Sequence, residues 1–257
     1  MLQKEKEKFL ASNIFEGMTS ISALLNSGIE NNRKIERVWI DVTKRKSKAR
    51  EIGFLTEKSK ELDFSLEFVS AEEIDTLAIG NSHGGVIAFC TDRIIPKLQQ
   101  TEIKRDGFYV FLEGVEDPYN FGYTVRSLYA AGVTGIVLPP RNWMTAAGVV
   151  ARASAGASEL ISMYEADVDQ VIPTFRSCGY TVLCAGIRDS VSVFDENFPY
   201  PILLVIGGEK RGISRKILDQ ADKIVRIDYG REFRGSLSAA SAATVMAFEI
   251  FRKNKGL

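Results

Sequence analysis

Five short runs in the second half of the chain, residues 108–112, 135–138, 181–184, 202–206 and 223–227, read as strands, and all but the last are almost continuously apolar. A strand without polar alternation has no face to offer water, so these runs must lie between two covering layers. Segments with helical periodicity separate them, predicted over 120–131, 145–153, 168–177, 214–220 and 236–252. Strands and helices alternating in this way predict an α/β fold with a mostly parallel sheet.

The first half carries a smaller set of the same signals. Residues 18–27 place Ile21, Leu24 and Leu25 on one helical face, with Gly28 as the stop. Residues 37–42 alternate as a strand, 52–62 read as a helix, 65–69 as a short strand and 85–90 as a buried strand. The polar stretch 92–106 holds one proline and reads as a linker or a short helix. The expected organisation is a small α/β domain over 1–95, a linker over 96–106 and a larger domain over 107–257.

Composition excludes several classes. No uninterrupted apolar stretch approaches the ~20 residues of a membrane-spanning helix, and the Lys- and Glu-rich start has no secretory pattern. Three cysteines, Cys90, Cys178 and Cys184, sit in apolar company without metal-like spacing, as reduced thiols of a cytoplasmic protein would. With one histidine, no metal site is expected. The net charge is zero, from 33 basic and 33 acidic residues, which is unusual for a nucleic-acid binder. Basic residues nevertheless cluster between Arg33 and Arg50, opposed only by Glu36 and Asp41. Such a cluster suits either a solvated face or a phosphate contact.

Three junctions concentrate polar residues where strands end. After the run 108–112 comes Asp117-Pro118-Tyr119-Asn120, with Arg126 six residues beyond Asn120. Asp117 suits a helix cap and Pro118 the first helical position. After 202–206 comes Gly207-Gly208-Glu209-Lys210-Arg211-Gly212. Its spacing approaches a phosphate loop, but Ile213 stands where the lysine is needed, and Glu209 breaks the dinucleotide-binding glycine pattern. The third junction runs from Arg226-Ile227-Asp228 to Ser236-Leu237-Ser238, followed by many small residues. There Ser236 is the expected helix cap, with Leu237, Ala240, Thr244, Phe248 and Phe251 on one apolar face and Glu249–Lys253 paired on another.

These junctions, together with Arg152-Ala153-Ser154-Ala155-Gly156-Ala157, resemble the ordered signatures of the SpoU (TrmH-like) family of RNA ribose 2′-O-methyltransferases. The turn His83-Gly84-Gly85-Val86-Ile87-Ala88 is similar to one in the L30-like RNA-binding domain that often precedes the SpoU domain. His83 itself reads as a turn residue. Ser238 replaces the family Asn, Ala240 replaces a Ser, and Asp228 stands where the family usually has Pro.

The resemblance implies a SPOUT-type fold: a mostly parallel sheet with a C-terminal trefoil knot, preceded by a small L30-like α/β domain. It implies transfer of a methyl group from S-adenosyl-L-methionine to a ribose 2′-hydroxyl, in ribosomal or transfer RNA, with ribosomal RNA favoured by the front domain. Asn120, Arg126, Glu209 and Ser236 become the catalytic set, with Arg126 either a base or a phosphate anchor. Leu138, Gly207, Gly208, Ile227 and Leu237 would line the cofactor site. Lys44, Arg45, Lys46 and Lys48 would contact RNA, and the chain would form a homodimer without a membrane partner. Two alternatives stand beside it: a catalytically silent RNA-binding or ribosome-associated protein, favoured by Ser238 and Asp228, and a nucleotide-dependent enzyme, disfavoured by the broken glycine motifs.

Overall fold

The computed structural model describes residues 13–28, 31–80, 82–140 and 146–255. In chain order the elements begin β1 (Ile14–Glu16), α1 (Gly17–Leu25), β2 (Ile35–Asp41), α2 (Ala49–Leu62), β3 (Ser65–Val69), α3 (Ala71–Leu77) and β4 (Val86–Cys90). Then follow β5 (Phe108–Glu113), α4 (Pro118–Ala130), β6 (Gly135–Leu138), α5 (Ala147–Ala153), α6 (Ala157–Leu160), β7 (Ser162–Glu165) and α7 (Val168–Ser177). The chain closes with β8 (Thr181–Ala185), β9 (Val191–Ser192), β10 (Ile202–Gly207), α8 (Arg215–Leu218), β11 (Lys223–Arg226) and α9 (Ala239–Asn254). None of these helices is long and apolar enough to cross a membrane.

The chain divides into two compact units. Of the described residues, one takes those up to 94 and 146–160, the other 95–140 and 161–255. In the first unit the strands are ordered β1-β4-β2-β3, with β2 and β3 parallel and the other pairs antiparallel. Phe15, Val38, Ile40, Val86 and Ala88 form its core with Leu24 of α1, Leu55 of α2 and Ala147 and Ala151 of α5. Segment 146–160 is tied in by charge as well. Arg33 and Glu159, with side chains 2% and 4% exposed, pair at 3.1 Å. Arg33 also donates to the Thr91 carbonyl at 2.7 Å, and Asn31 donates to Glu159 at 2.8 Å. A buried ion pair survives only when its remaining hydrogen-bonding capacity is met, and here neighbours from both segments meet it.

The second unit holds a seven-stranded, all-parallel sheet ordered β7-β6-β5-β10-β8-β11-β9. Tyr109, Phe111, Val137, Val182, Leu203 and Val205 point to one face, under Val171, Ile172 and Phe175 of α7 and Ile217 of α8. Alternate residues Phe108, Val110, Leu112, Leu204 and Ile206 are also buried, and α9 packs along α4 and against β10. Burial on both faces is the reason those runs carry no polar alternation. The chain leaves β5 for β6 on one side, while β10 returns to the other side of β5. The order therefore reverses between β5 and β10, where open α/β sheets form a crevice beyond their strand ends.

Two expectations need correction. The last helix is capped by Ser238, whose side chain accepts from the Ser241 N–H at 3.2 Å, and not by Ser236. Both serines are competent caps, and the buried alanines from Ala239 onward decide where the helix begins. Its buried face is Ala239, Ala240, Ala243, Met246, Ala247 and Ile250, so Phe248 and Phe251 face outward instead of into the core. Glu249 and Lys253 do pair, at 3.5 Å. Of the helix expected over 145–153, Thr145 lies outside the described residues.

Candidate active site

The two loops beyond β5 and β10 are held together by backbone. The Gly208 N–H donates to the Glu113 carbonyl at 2.7 Å, and the Gly212 N–H turns back to the Gly208 carbonyl at 2.8 Å. A Cβ on Gly208 would overlap the carbonyl of Gly114, and one on Gly207 would overlap the backbone of Gly212 and Ile213. Paired glycines are thus required because chain passes directly against chain at both positions. The Ser214 N–H donates to the Glu113 carboxylate at 2.8 Å, a second tie between the same loops. Burial and the Glu113 charge push the buried Cys184 thiol up to about 12, so it stays protonated.

This clasp brings distant side chains together. Asp117 caps α4 by accepting from the Asn120 N–H at 2.8 Å, with Pro118 in the first turn. Asn120 is thereby fixed in the first turn, and its Nδ2 donates to Glu209 Oε1 at 3.0 Å. Both line a cleft of about 410 Å³ with Gly114, Val115, Glu116, Asp117, Pro118, Lys210 and Ala239. A second cleft of about 350 Å³ shares Gly114, Glu116 and Lys210 and adds Glu113, Pro139, Val168, Gly208, Arg211, Gly212 and Ser214. The buried Ser214 Oγ has no hydrogen-bond partner among the described residues, leaving one polar group for a ligand.

The other expected site residues lie elsewhere on these elements. Arg126 is exposed on α4, about 9 Å along the helix axis from Asn120, and it lines neither cleft. Leu138 is buried at the end of β6, and its neighbour Pro139 enters the second cleft. Gly207 lies against the Gly212–Ile213 backbone. Ile227 is half-buried just past β11. Ser236 and Leu237 are exposed in the loop before α9, and the Leu237 N–H donates to the Tyr229 hydroxyl at 3.2 Å. Asp228 pairs with Arg226 at 2.7 Å. The Ser192 hydroxyl and Arg226 hold its carboxyl below the usual carboxylate range.

Sequence reasoning passed over Glu113, Glu116, Lys210 and Ala239. Glu113 was findable as the single acid closing an otherwise apolar strand. The others owe their places to the clasp. Among the described residues no group of His, Cys, Asp and Glu is placed to hold a metal ion.

In the first unit, the Asp41 carboxylate accepts from the Thr43 N–H and hydroxyl, each at 2.8 Å, and so shapes the turn that carries the basic run. Lys44, Arg45 and Lys46 are exposed there, and the Arg45 guanidinium lies 3.9 Å from the Phe68 ring centroid. Lys48 is half-buried and pairs with Glu51 at 3.4 Å. His83 accepts from the Gly85 N–H at 3.1 Å through Nδ1, while Nε2 lies 3.1 Å from Asp75. It braces a turn.

Known proteins share this arrangement of sequence and fold. Residues 107–248, more than half of the chain, match the model of the SpoU rRNA Methylase family. Residues 14–94 match that of RNA 2′-O ribose methyltransferase substrate binding. A Staphylococcus haemolyticus protein assigned to the TrmH family of tRNA/rRNA methyltransferases is 29% identical over 239 residues, 89% of this chain and 92% of that protein. YacO of Bacillus subtilis, assigned likewise, is 27% identical over 233 residues, 88% of this chain and 91% of its own. Among solved structures, the AdoMet-bound rRNA methyltransferase from Sinorhizobium meliloti superposes with a TM-score of 0.77 at 23% identity, covering 96% of this chain and 94% of that one. AviRb from Streptomyces viridochromogenes superposes with a TM-score of 0.77 at 20% identity, covering 96% of each chain.

Replacing Gly208 by Ala should lower the unfolding free energy by about 2 kcal/mol or more, because no side-chain movement relieves a clash with backbone. Gly230→Ala, with open space around it, should stay within about 0.5 kcal/mol of the parent. Urea unfolding of both variants checks this, and equal stabilities would contradict the clasp.

Proposed function

The chain belongs to the SpoU rRNA methylase family, and we propose that it methylates a ribose 2′-hydroxyl of ribosomal RNA at the cleft where Asn120 meets Glu209. Family membership makes it an S-adenosylmethionine-dependent RNA 2′-O-ribose methyltransferase. The observation that carries the placement of the reaction is the 3.0 Å bond joining Asn120 of α4 to Glu209 of the β10 loop inside one cleft. A short polar pair shared by two loops, at the sheet's switch point, is a means of positioning a hydroxyl.

The residues present suit the methyl donor. The second cleft offers the Gly208 and Gly212 backbone, Pro139 and the unpartnered Ser214 hydroxyl, a mix fitted to a ligand held by main-chain groups and apolar walls. Leu138, Gly207, Ile227 and Leu237 belong to this donor site on the family pattern. When bound, S-adenosylmethionine supplies an electrophilic methyl group on a sulfonium.

The chain's own residues then have the following parts in the proposal. Glu209 keeps one carboxylate oxygen on Asn120, and the other has no partner among the described residues, so it can accept from a ribose hydroxyl. A guanidinium is a poor proton acceptor and a good partner for phosphate oxygens, so Arg126 suits a phosphate anchor beside the reacting sugar better than a base. Ser236, on the loop leading to Ala239, adds a hydroxyl donor to the RNA backbone. A C-terminal trefoil knot is part of the same proposal, resting on family membership. So is the division into an RNA-gripping domain over 1–95, a linker over 96–106 and a catalytic domain over 107–257, which the two matched spans support, while 146–160 of the last span packs within the first unit. The cytoplasm, where such RNA is found, is the proposed location.

A homodimer completes the reading. Tyr129 on α4 and Phe248 and Phe251 on α9 are exposed, and Phe194, Val245, Phe248 and Phe251 line an open groove of about 510 Å³. Exposed aromatic surface of this kind suits a second protomer. Light scattering should give the mass of two chains, and the mass of one chain removes this part.

Mapping 2′-O-methyl positions in ribosomal and transfer RNA, from cells with and without the protein, tests the substrate. A ribosomal position should vanish on deletion and return on treatment with purified protein and methyl donor. Arg126→Ala should lower that restored methylation about 100-fold while donor binding by calorimetry is unchanged. Full methylation by the variant would remove Arg126 from the site. Reversing the charge of Lys44, Arg45 and Lys46 should weaken RNA binding and flatten its salt dependence by roughly 0.7–0.9 in log–log slope for each phosphate left without its cation. Unaltered affinity and slope would clear the basic turn of any role.

A further inference from the structure

Between Ile227 and Ser236, the loop from β11 to α9 carries surface to which the proposed methyl transfer gives no part. Residues 228–238 are all exposed. Phe233 stands out at 58% exposed, and its ring lies 5.8 Å from that of Tyr229, tilted by 56°. The arch is ordered around this pair. The Tyr229 hydroxyl accepts from the Leu237 N–H at 3.2 Å, and a Cβ on Gly235 would overlap the Phe233 ring, so the loop closes tightly behind it. Arg231 and Arg234 share this loop with Phe233 and with Glu232 between them, and neither arginine makes a hydrogen bond or ion pair among the described residues, whereas Arg226 at the end of β11 is committed to Asp228. Just past the arch, Ala239 forms a wall of the cleft that holds Asn120 and Glu209.

We infer that Phe233, backed by Tyr229, is a stacking platform for an unpaired nucleobase of the RNA next to the methylated nucleotide. Arg231 and Arg234 neutralise the adjoining phosphates. The inference deepens the proposed function and rests on it. A ribose 2′-hydroxyl must be brought free of its helix to lie in line with a methyl group, and single-stranded RNA is held by stacking bases on exposed aromatic rings with cations along the backbone. The loop offers both chemistries in one short segment, beside the cleft. A ring exposed on an apolar patch alone would suit a protein partner equally; one in a loop with two uncommitted arginines against the single Glu232 favours an anionic chain of flat bases.

The test uses the full protein and a short single-stranded oligoribonucleotide carrying 2-aminopurine, whose fluorescence falls when the base stacks. Wild type and Phe233→Tyr should quench it alike, whereas Phe233→Ala and Phe233→Leu should lose the quench and bind about tenfold more weakly. The salt dependence of binding should persist in all four, since both arginines remain. In methyl transfer to ribosomal RNA, the Ala and Leu variants should raise KM about tenfold with kcat and donor affinity little changed. Quenching by the Leu variant equal to wild type overturns the platform, and so does a change of mass in light scattering, which would assign Phe233 to the protomer contact. Absence of donor binding or methyl transfer in the wild type would instead count against the proposed function, and the oligonucleotide assay reads the platform independently of that.

Discussion

The hydrogen bond from the Gly208 N–H to the Glu113 carbonyl carries the architecture of the site. It continues the parallel pairing of β10 with β5 beyond the last strand residues, into the region where loops normally diverge. Once the loops are joined there, Gly207 and Gly208 can carry no side chain, Ser214 is drawn to Glu113, and Glu209 is delivered to Asn120. Each is a consequence of one backbone approach at a strand-order reversal. The acid at 209 and the amide at 120 are far apart in sequence and have no local reason to meet.

The first unit relies on a different constraint. Its later segment is held by apolar contact through Ala147 and Ala151 and by the buried Arg33–Glu159 pair. Arg33 also lies 5.1 Å from the Phe15 ring centroid, so its planar cation is used on its face as well as its edge. Arg152 reaches Glu16 at 2.8 Å, and its guanidinium occupies the space a Cβ on Gly80 would need. The small-residue run 153–157 allows the same close approach, with Gly156 backed against Ala23. Residues read as a family signature are therefore also structural residues of this unit.

Much of the fold was legible because burial on both faces writes itself into composition. The runs at 108–112, 135–138 and 202–206 became β5, β6 and β10 within a residue, and 65–69 and 168–177 matched β3 and α7. The elements that escaped were short or polar at the edges: β1, β9, α6 and β7, whose Ser162-Met163-Tyr164-Glu165 has too few apolar residues to announce a strand. Helix α3 was legible and overlooked, since Ser70 and Glu73 form a reciprocal capping box. The last helix misled because its phenylalanines look like core, while alanines make the close contacts and leave the rings outside. For the site, the Asp cap, the glycine pair and Glu209 could be read from local chemistry. Which residues share a cleft could not, because that depends on strand order. Arg126 and Ser236 were chosen by pattern, and neither lines the cleft of Asn120 and Glu209.

The central claim is that Asn120 and Glu209 act as one unit at the joined loops. A double-mutant cycle on methyl transfer, using Asn120→Ala, Glu209→Ala and the double variant, measures this directly. Coupling of about 1 kcal/mol or more in the activation free energy is expected, the double variant being little worse than either single one. Effects that add to within about 0.3 kcal/mol would show two residues working independently, and the clasp would then have no part in the chemistry.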